Sequence, residues 1–279
     1  MDIRAVQLKE LHILKEFAAI CDRHELRYFL YVGTLLGAVR HKGFIPWDDD
    51  VDVVMPVRDY CRFLRIAKKE LPKGMTLQYP GCRGDYYGPW VRIYLNGTTM
   101  MRPCEAACDM PWGMFIDIYP MIGEAKSPAG KNLQKKLILA ACGLLRVDYY
   151  RTTGRMSAEY ASLKKALFRI PRPMRKLMAA ICLRLAMRPI EGSRSIGSVD
   201  AAPFEGKFAP SDWEATKMVP FEDGVFCIPA NYDPILCRIY GDYMTPPPEH
   251  MRHGHDYGAG DMIYDTDRDY RIYRQELLK

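Results

Sequence analysis

Between Tyr28 and Met55 the chain runs YFLYVGTLLGAVRHKGFIPWDDDVDVVM: an aromatic and β-branched run, a glycine, a helix-like segment, then four aspartates within five positions. The composition of YFLYV (28–32) predicts a strand ending at Gly33. LLGAVRHKG (35–43) predicts a helix closing at Gly43. VDVVMP (51–56) alternates acid with apolar residues and stops at a proline, as a half-buried strand does. Residues i and i+2 of a strand share a face, so Asp50 and Asp52 project together. Two carboxylates that close repel unless something positive lies between them. Oxygen ligands with no neighbouring His or Cys favour Mg²⁺ or Mn²⁺ over zinc. An isolated acid would read as a cap or a surface charge, but an acid pair at period two among apolar residues favours a metal. Asp48 and Asp49 fall outside that pair, in an approach loop after Trp47.

Working outward, residues 3–26 place Val6, Leu8, Leu11, Leu14, Phe17, Ala18 and Cys21 at helical spacing. A second helix is expected over 57–71, and strands over 75–79, 90–95 and 114–121. The order predicts an α/β core with a mixed sheet over residues 1–125. Asp117, in MFIDIYP, is an acid among apolar neighbours and costly to bury alone. If its strand lies beside that of Asp50 and Asp52, three carboxylates converge. Gly33 and Thr34 open a helix after a strand, leaving backbone N–H groups where a phosphate can bind.

GTLLGAVRHKGFIPWDDDVDVVMP, with FIDIYP (115–120) and YGDYMTPPP (240–248), closely resembles the LicD family, whose better-studied members attach phosphocholine to cell-surface glycans. Fukutin and fukutin-related protein share the first motif. The resemblance covers about Tyr28 to Pro120 and Pro229 to His253. It implies a nucleotidyltransferase-like fold in which Gly33 and Thr34 hold donor phosphates, Asp50 and Asp52 bind catalytic metal, and Asp117 is the third acid. It aligns Arg92 loosely with a phosphate-contacting Lys; an exposed strand Arg is the other reading. The family motif also has an acid at Asp48. That residue either anchors Arg40 or His41, or recognises a cationic head group such as choline together with Trp47. The implied reaction moves a phospho-alcohol from a CDP-alcohol donor to a sugar hydroxyl of a glycan such as teichoic acid, lipopolysaccharide or capsule, releasing CMP. The other readings are a nucleotidyltransferase releasing pyrophosphate and a silent membrane-associated scaffold.

Charge divides the chain. Residues 126–190 carry fifteen Lys and Arg against two acids, so a segment of +13 sits in a chain of net charge +6, and the remainder carries −7. This segment predicts a basic helical insert, broken at RIPRP (169–173). Its Phe168, Ile170, Leu177, Met178, Ile181 and Leu185 suit an anionic membrane surface carrying a lipid-linked glycan. An anionic polysaccharide or a solvated insert are the alternatives, and nucleic acid is not expected beside an acidic site. Residues 191–279 are expected to pack on the core and complete the site, with Arg252 and His253, near His250, His255 and Asp256, contacting substrate phosphate.

No continuous apolar leader is read in MDIRAVQLKELHILKEF, and no apolar run approaches the roughly 20 residues of a membrane span. A cytoplasmic protein, peripheral at most on the inner membrane face, is expected. The nine cysteines form no CxxC pair and suit a reducing compartment. Cys82, Cys104 and Cys108 with histidines are the weak case for zinc.

Overall fold

The computed structural model describes residues 2–154, 167–199, 208–254 and 262–279. Helix α1 (Ile3–Arg23) begins where the Asp2 carboxylate accepts from the N–H groups of Arg4 and Ala5. Its inner face carries Val6, Ile13, Leu14, Phe17 and Cys21. Phe17 meets Tyr28 and Phe63 edge-on at 5.1 and 5.0 Å, and each such buried ring is worth about 1.5–3 kcal/mol. The helical period misassigned one flank of this face. Leu8 points to solvent, while Gln7 and Glu10 are buried in its place.

The expected strand at 28–32 is only β1 (Phe29–Leu30), and helix α2 (Val32–Arg40) starts before Gly33. Tyr31 ends the pairing by donating its N–H to the Asp52 carbonyl. The chain then turns through Val32 at φ +36°, a conformation that a β-branched residue rarely adopts. At the other end His41 caps α2 and Lys42, rather than Gly43, takes the left-handed conformation at φ +58°. Gly43 is needed for another reason: a Cβ there would collide with the Glu222 carboxylate, which also accepts from the Phe44 N–H at 3.0 Å.

Strand β2 (Asp52–Pro56), helix α3 (Val57–Glu70), β3 (Met75–Gln78), β4 (Val91–Leu95), β5 (Thr99–Met101) and β6 (Phe115–Gly123) follow. The main sheet runs β1-β2-β6-β4-β3. Only β2 and β6 are parallel; β1–β2, β3–β4 and β4–β6 are antiparallel, so the sheet is mixed as expected. Val57, Tyr60, Phe63 and Ala67 are the buried face of α3.

Helices α4 (Pro128–Thr153) and α5 (Arg172–Ala186) form the basic segment. They pack Ala141, Leu144 and Leu145 against Ala179 and Leu183. Their contact is pinned by Asp148, which accepts from Arg175 and pairs with Arg172 at 3.6 Å. The described residues after them add four short strands. Strand β7 (Ile196–Ser198) pairs antiparallel with the far end of β6. Next come the hairpin β8 (Thr216–Phe221) and β9 (Gly224–Pro229), helix α6 (Tyr232–Tyr240), β10 (Ile263–Asp265), which pairs with β5, and helix α7 (Tyr270–Leu277). The hairpin had a legible signal in Asp223-Gly224 between two apolar runs. Strands β7 and β10, of three residues each, are too short to show a period.

Candidate active site

Register places the chemistry. Asp52 opens β2 directly opposite Asp117 on β6, and Asp117 is opposite Arg92 on β4. Three neighbouring strands therefore present acid, acid and guanidinium side by side. Arg92 holds Asp117 in a fork, Nε and one terminal nitrogen each 2.6 Å from a carboxylate oxygen, and Trp90 Nε1 donates to the same carboxylate at 2.7 Å. The guanidinium also lies 3.6 Å from the Phe115 ring centre. Arg92 is thus a buried partner of Asp117, and the reading of it as an exposed strand residue is corrected.

Thr34 sits in the first turn of α2, and its hydroxyl accepts the Asp52 N–H at 2.9 Å. It ties the start of the helix to the start of the acid-bearing strand. Gly33 faces Asp48, whose Oδ2 would lie 2.8 Å from any Cβ placed there. A carboxylate at the N-terminus of a helix is favourable, and only glycine leaves room for it. The anchor expected for Asp48 is different: Arg40 donates to His41 Nε2 at 2.9 Å and to the Tyr243 carbonyl at 2.7 Å. Burial, then Arg40, lowers the His41 pKa.

Trp47 turns its ring to His41, 6.3 Å away edge-on, and to the Arg252 guanidinium at 5.3 Å. Arg252 donates to the Pro247 carbonyl at 2.8 Å, and His253 is exposed with Nδ1 3.2 Å from the Gly254 carbonyl. His255 and Asp256 lie outside the described residues. Asp49 was passed over in the sequence, yet it is buried, and Tyr264 on β10 donates to it at 3.1 Å. Gly254 packs against it closely enough that a Cβ would sit 2.9 Å from Oδ1.

Asp49, Asp50 and Asp117 line a cavity of about 410 Å³. Aromatic side chains form much of its wall: Tyr87, Trp90, Trp112, Tyr119, Tyr149 and Tyr150. Trp47 is not among them, although Asp49 and Asp50 of the same loop line the cavity. Tyr149 comes from α4, lies tilted with its ring centre 4.2 Å from that of Tyr87 and donates to Glu105 at 2.6 Å.

Charge in the site is in excess. Burial, then Asp50 and Asp117, pushes the Asp52 carboxyl well above its ordinary range. Behind the aspartate loop, Glu10 is fully buried and neither carboxyl oxygen has a hydrogen-bond partner. Its pKa is pushed well up by burial and then by Asp50 and Asp49. One turn earlier, Gln7 reaches the same loop, donating to the carbonyls of Ile45 and Asp48 at 3.2 and 2.9 Å. Glu10 was readable as unusual, since it falls on the Val6–Leu14 stripe of α1.

Glu10 yields a test. The folded protein keeps a proton that the unfolded chain releases above about pH 4.5, so stability falls as pH rises beyond that value. Glu10→Gln removes this loss. Urea melts of the metal-free protein at pH 5 and pH 8 are expected to show a gain of about 1–3 kcal/mol at the higher pH only. An equal change at both values would contradict a neutral buried Glu10.

The donor set admits a divalent cation in a restricted form. Among the described residues no three His, Cys, Asp or Glu side chains are grouped as metal ligands, and Asp117 is already gripped by Arg92. That leaves Asp50 and Asp52. A pair suits Mg²⁺, which keeps several waters and takes substrate phosphate oxygens beside one or two carboxylates. The zinc reading gains no support: Cys82 donates to Gln78 at 2.8 Å, Cys104 is exposed and Cys108 is buried.

Residues 25–104 match the family described as "LicD/FKTN/FKRP, nucleotidyltransferase domain". The chain is similar to the lipopolysaccharide cholinephosphotransferase LicD of Haemophilus influenzae, with 29% identity over 265 residues, 91% of this chain and 96% of that one. It also resembles uncharacterized proteins of Rickettsia prowazekii, 34% identical over 27% of this chain and 28% of that protein, and of Rickettsia typhi, 36% identical over 28% and 26%.

Proposed function

Since the chain belongs to the LicD family, we propose that it transfers a phospho-alcohol, most plausibly phosphocholine, from a CDP-alcohol to a sugar hydroxyl of a lipopolysaccharide-like glycan. The observation that carries this reading is the juxtaposition of Asp50 and Asp117 with a wall of aromatic rings in one cavity. Aromatic faces and acids together suit a quaternary ammonium group, and the paired carboxylates suit a donor diphosphate brought in with its cation.

Mg²⁺ or Mn²⁺ on Asp50 and Asp52 would supply charge neutralisation for the diphosphate. The chain's own groups do the rest. Thr34 fixes the backbone of Asp52 through the bond to its N–H, holding the carboxylate at the strand end. Arg92 and Trp90 fix Asp117, so its carboxylate keeps one orientation in the cavity wall. The ring wall excludes water, which would otherwise compete with the sugar as acceptor. In the reaction the phosphorus bearing the alcohol gains a bond to the sugar oxygen and loses its bond to CMP. The hydroxyl proton passes to the acidic site and on to solvent.

Incubation with CDP-choline, Mg²⁺ and a lipopolysaccharide acceptor is expected to release CMP only when acceptor is present. Pyrophosphate release from CTP would replace this reading with nucleotidyl transfer. No turnover with CDP-choline, CDP-ribitol or CDP-glycerol would leave a scaffold.

We place the acceptor at a membrane surface. No helix among the described residues is long and apolar enough to cross a bilayer. Helix α5, however, exposes Met174, Leu177, Met178, Ile181 and Leu185, spaced so that they form one stripe. Arg172, Lys176, Arg184 and Arg188 accompany them in sequence, a composition that binds anionic lipid interfaces. Ile181→Glu with Leu177→Glu, both at solvent-facing positions, is expected to weaken sedimentation with phosphatidylserine vesicles by about tenfold or more. Equal sedimentation of wild type and variant would remove this part of the proposal.

A further inference from the structure

The basic segment does more than face outward. Helix α4 brings Arg146, Tyr149 and Tyr150 to the cavity that Asp50 and Asp117 line. These positions are i, i+3 and i+4 and therefore share one helix face. Asp148, about 200° round the helix from Arg146 at 100° per residue, points the other way and binds Arg175 and Arg172 of α5. Helix α5 is itself tied to the core by Lys176, which donates to the carbonyls of Cys82 and Gly84, and by Arg172, 2.8 Å from Asp85. Tyr149 seats the helix end between Tyr87 and Glu105. The face carrying Arg146 is thus held in place from both sides.

Of the three arginines lining the cavity, Arg92 is held by Asp117 and Arg102 lies 3.6 Å from Glu105. Arg146 makes no ion pair among the described residues. It is half-buried and lines the cavity together with aromatic rings and Asp49, Asp50 and Asp117. A guanidinium so placed, without a carboxylate of the chain, matches an anionic oxygen of a ligand. We propose that α4 is the donor-facing wall of the active site, with Arg146 binding a phosphate oxygen of the substrate and Tyr149 and Tyr150 closing the cavity beside it. This rests on the phosphotransfer reading for the identity of the donor, but not for the presence of a phosphate site.

The test is calorimetric titration of the full chain in Mg²⁺ with two probes, inorganic pyrophosphate and CDP-choline, for wild type, Arg146→Gln and Arg146→Lys. Because Arg146 pairs with no acid among the described residues, Arg146→Gln strands no charge there, and an unchanged thermal transition is expected to confirm its fold. The Gln variant is expected to raise the Kd of both probes by about 10- to 100-fold, with partial recovery in Arg146→Lys. If pyrophosphate binding weakens in this way while CDP-choline does not bind even the wild type, Arg146 stands and the CDP-choline donor falls. If pyrophosphate binds wild type and Arg146→Gln equally, or binds wild type not at all, Arg146 is not the phosphate ligand and the proposal is overturned.

Discussion

Asp50→Asn is expected to reduce CMP release from CDP-choline by at least about 10²–10³-fold, the order lost when one charge-stabilising group is removed from a preorganised site. Asp50 lines the cavity, while Asp117 is committed to Arg92. The same substitution is expected to stabilise the metal-free protein. Asp50 raises the pKa of both Glu10 and Asp52, so removing its charge relieves repulsion on a buried and a half-buried acid. Activity and stability should therefore move in opposite directions, as they do where a site stores unfavourable electrostatics for function. The measurements are steady-state turnover and urea denaturation on one preparation. Full turnover in Asp50→Asn would end the assignment of the metal pair.

Arg92→Met is expected to cost about 3–5 kcal/mol of stability, because it strands the Asp117 carboxylate among buried groups. The pair is nearly closed to water, with side-chain exposures of 10% and 8%, so solvent cannot take over the role of the guanidinium. The double variant Arg92→Met, Asp117→Asn is expected to recover much of that loss, since the amide carries no charge and still accepts from Trp90. Denaturation of the two singles and the double forms a cycle. A coupling below about 0.5 kcal/mol would show that Arg92 and Asp117 do not act as a unit.

The outline of the site was legible in residue spacing. The strand expected at 51–56 located Asp52, and an acid inside FIDIYP singled out Asp117, but Asp50 precedes β2 (Asp52–Pro56), so strand period two does not put it on one face with Asp52. The two strands do lie together, with Asp52 opposite Asp117. What Asp117 does with its charge was not legible. Arg92 lies 25 positions away, and only the register of β4 on β6 brings its fork to that carboxylate. Glu10 gave a faint signal through its place on an apolar helical stripe, but its neighbours are the aspartates of a loop some forty residues on.

The sequence by itself determined the element types of the core, the acid-bearing strand and the helical character of the basic segment. Periodicity and turn residues are local, and each element up to β6 is long enough to show them, apart from the short strands β1 and β5. The tertiary structure alone decided which side chains meet: Asp48 against Gly33, Trp47 against Arg252, Asp49 against Tyr264, and α4 against the cavity lined by Asp49, Asp50 and Asp117. Those contacts join residues far apart in the chain, and no local pattern encodes them. They follow from strand register, from the close approach that glycine permits, and from where a 26-residue helix must lie to bury its apolar side.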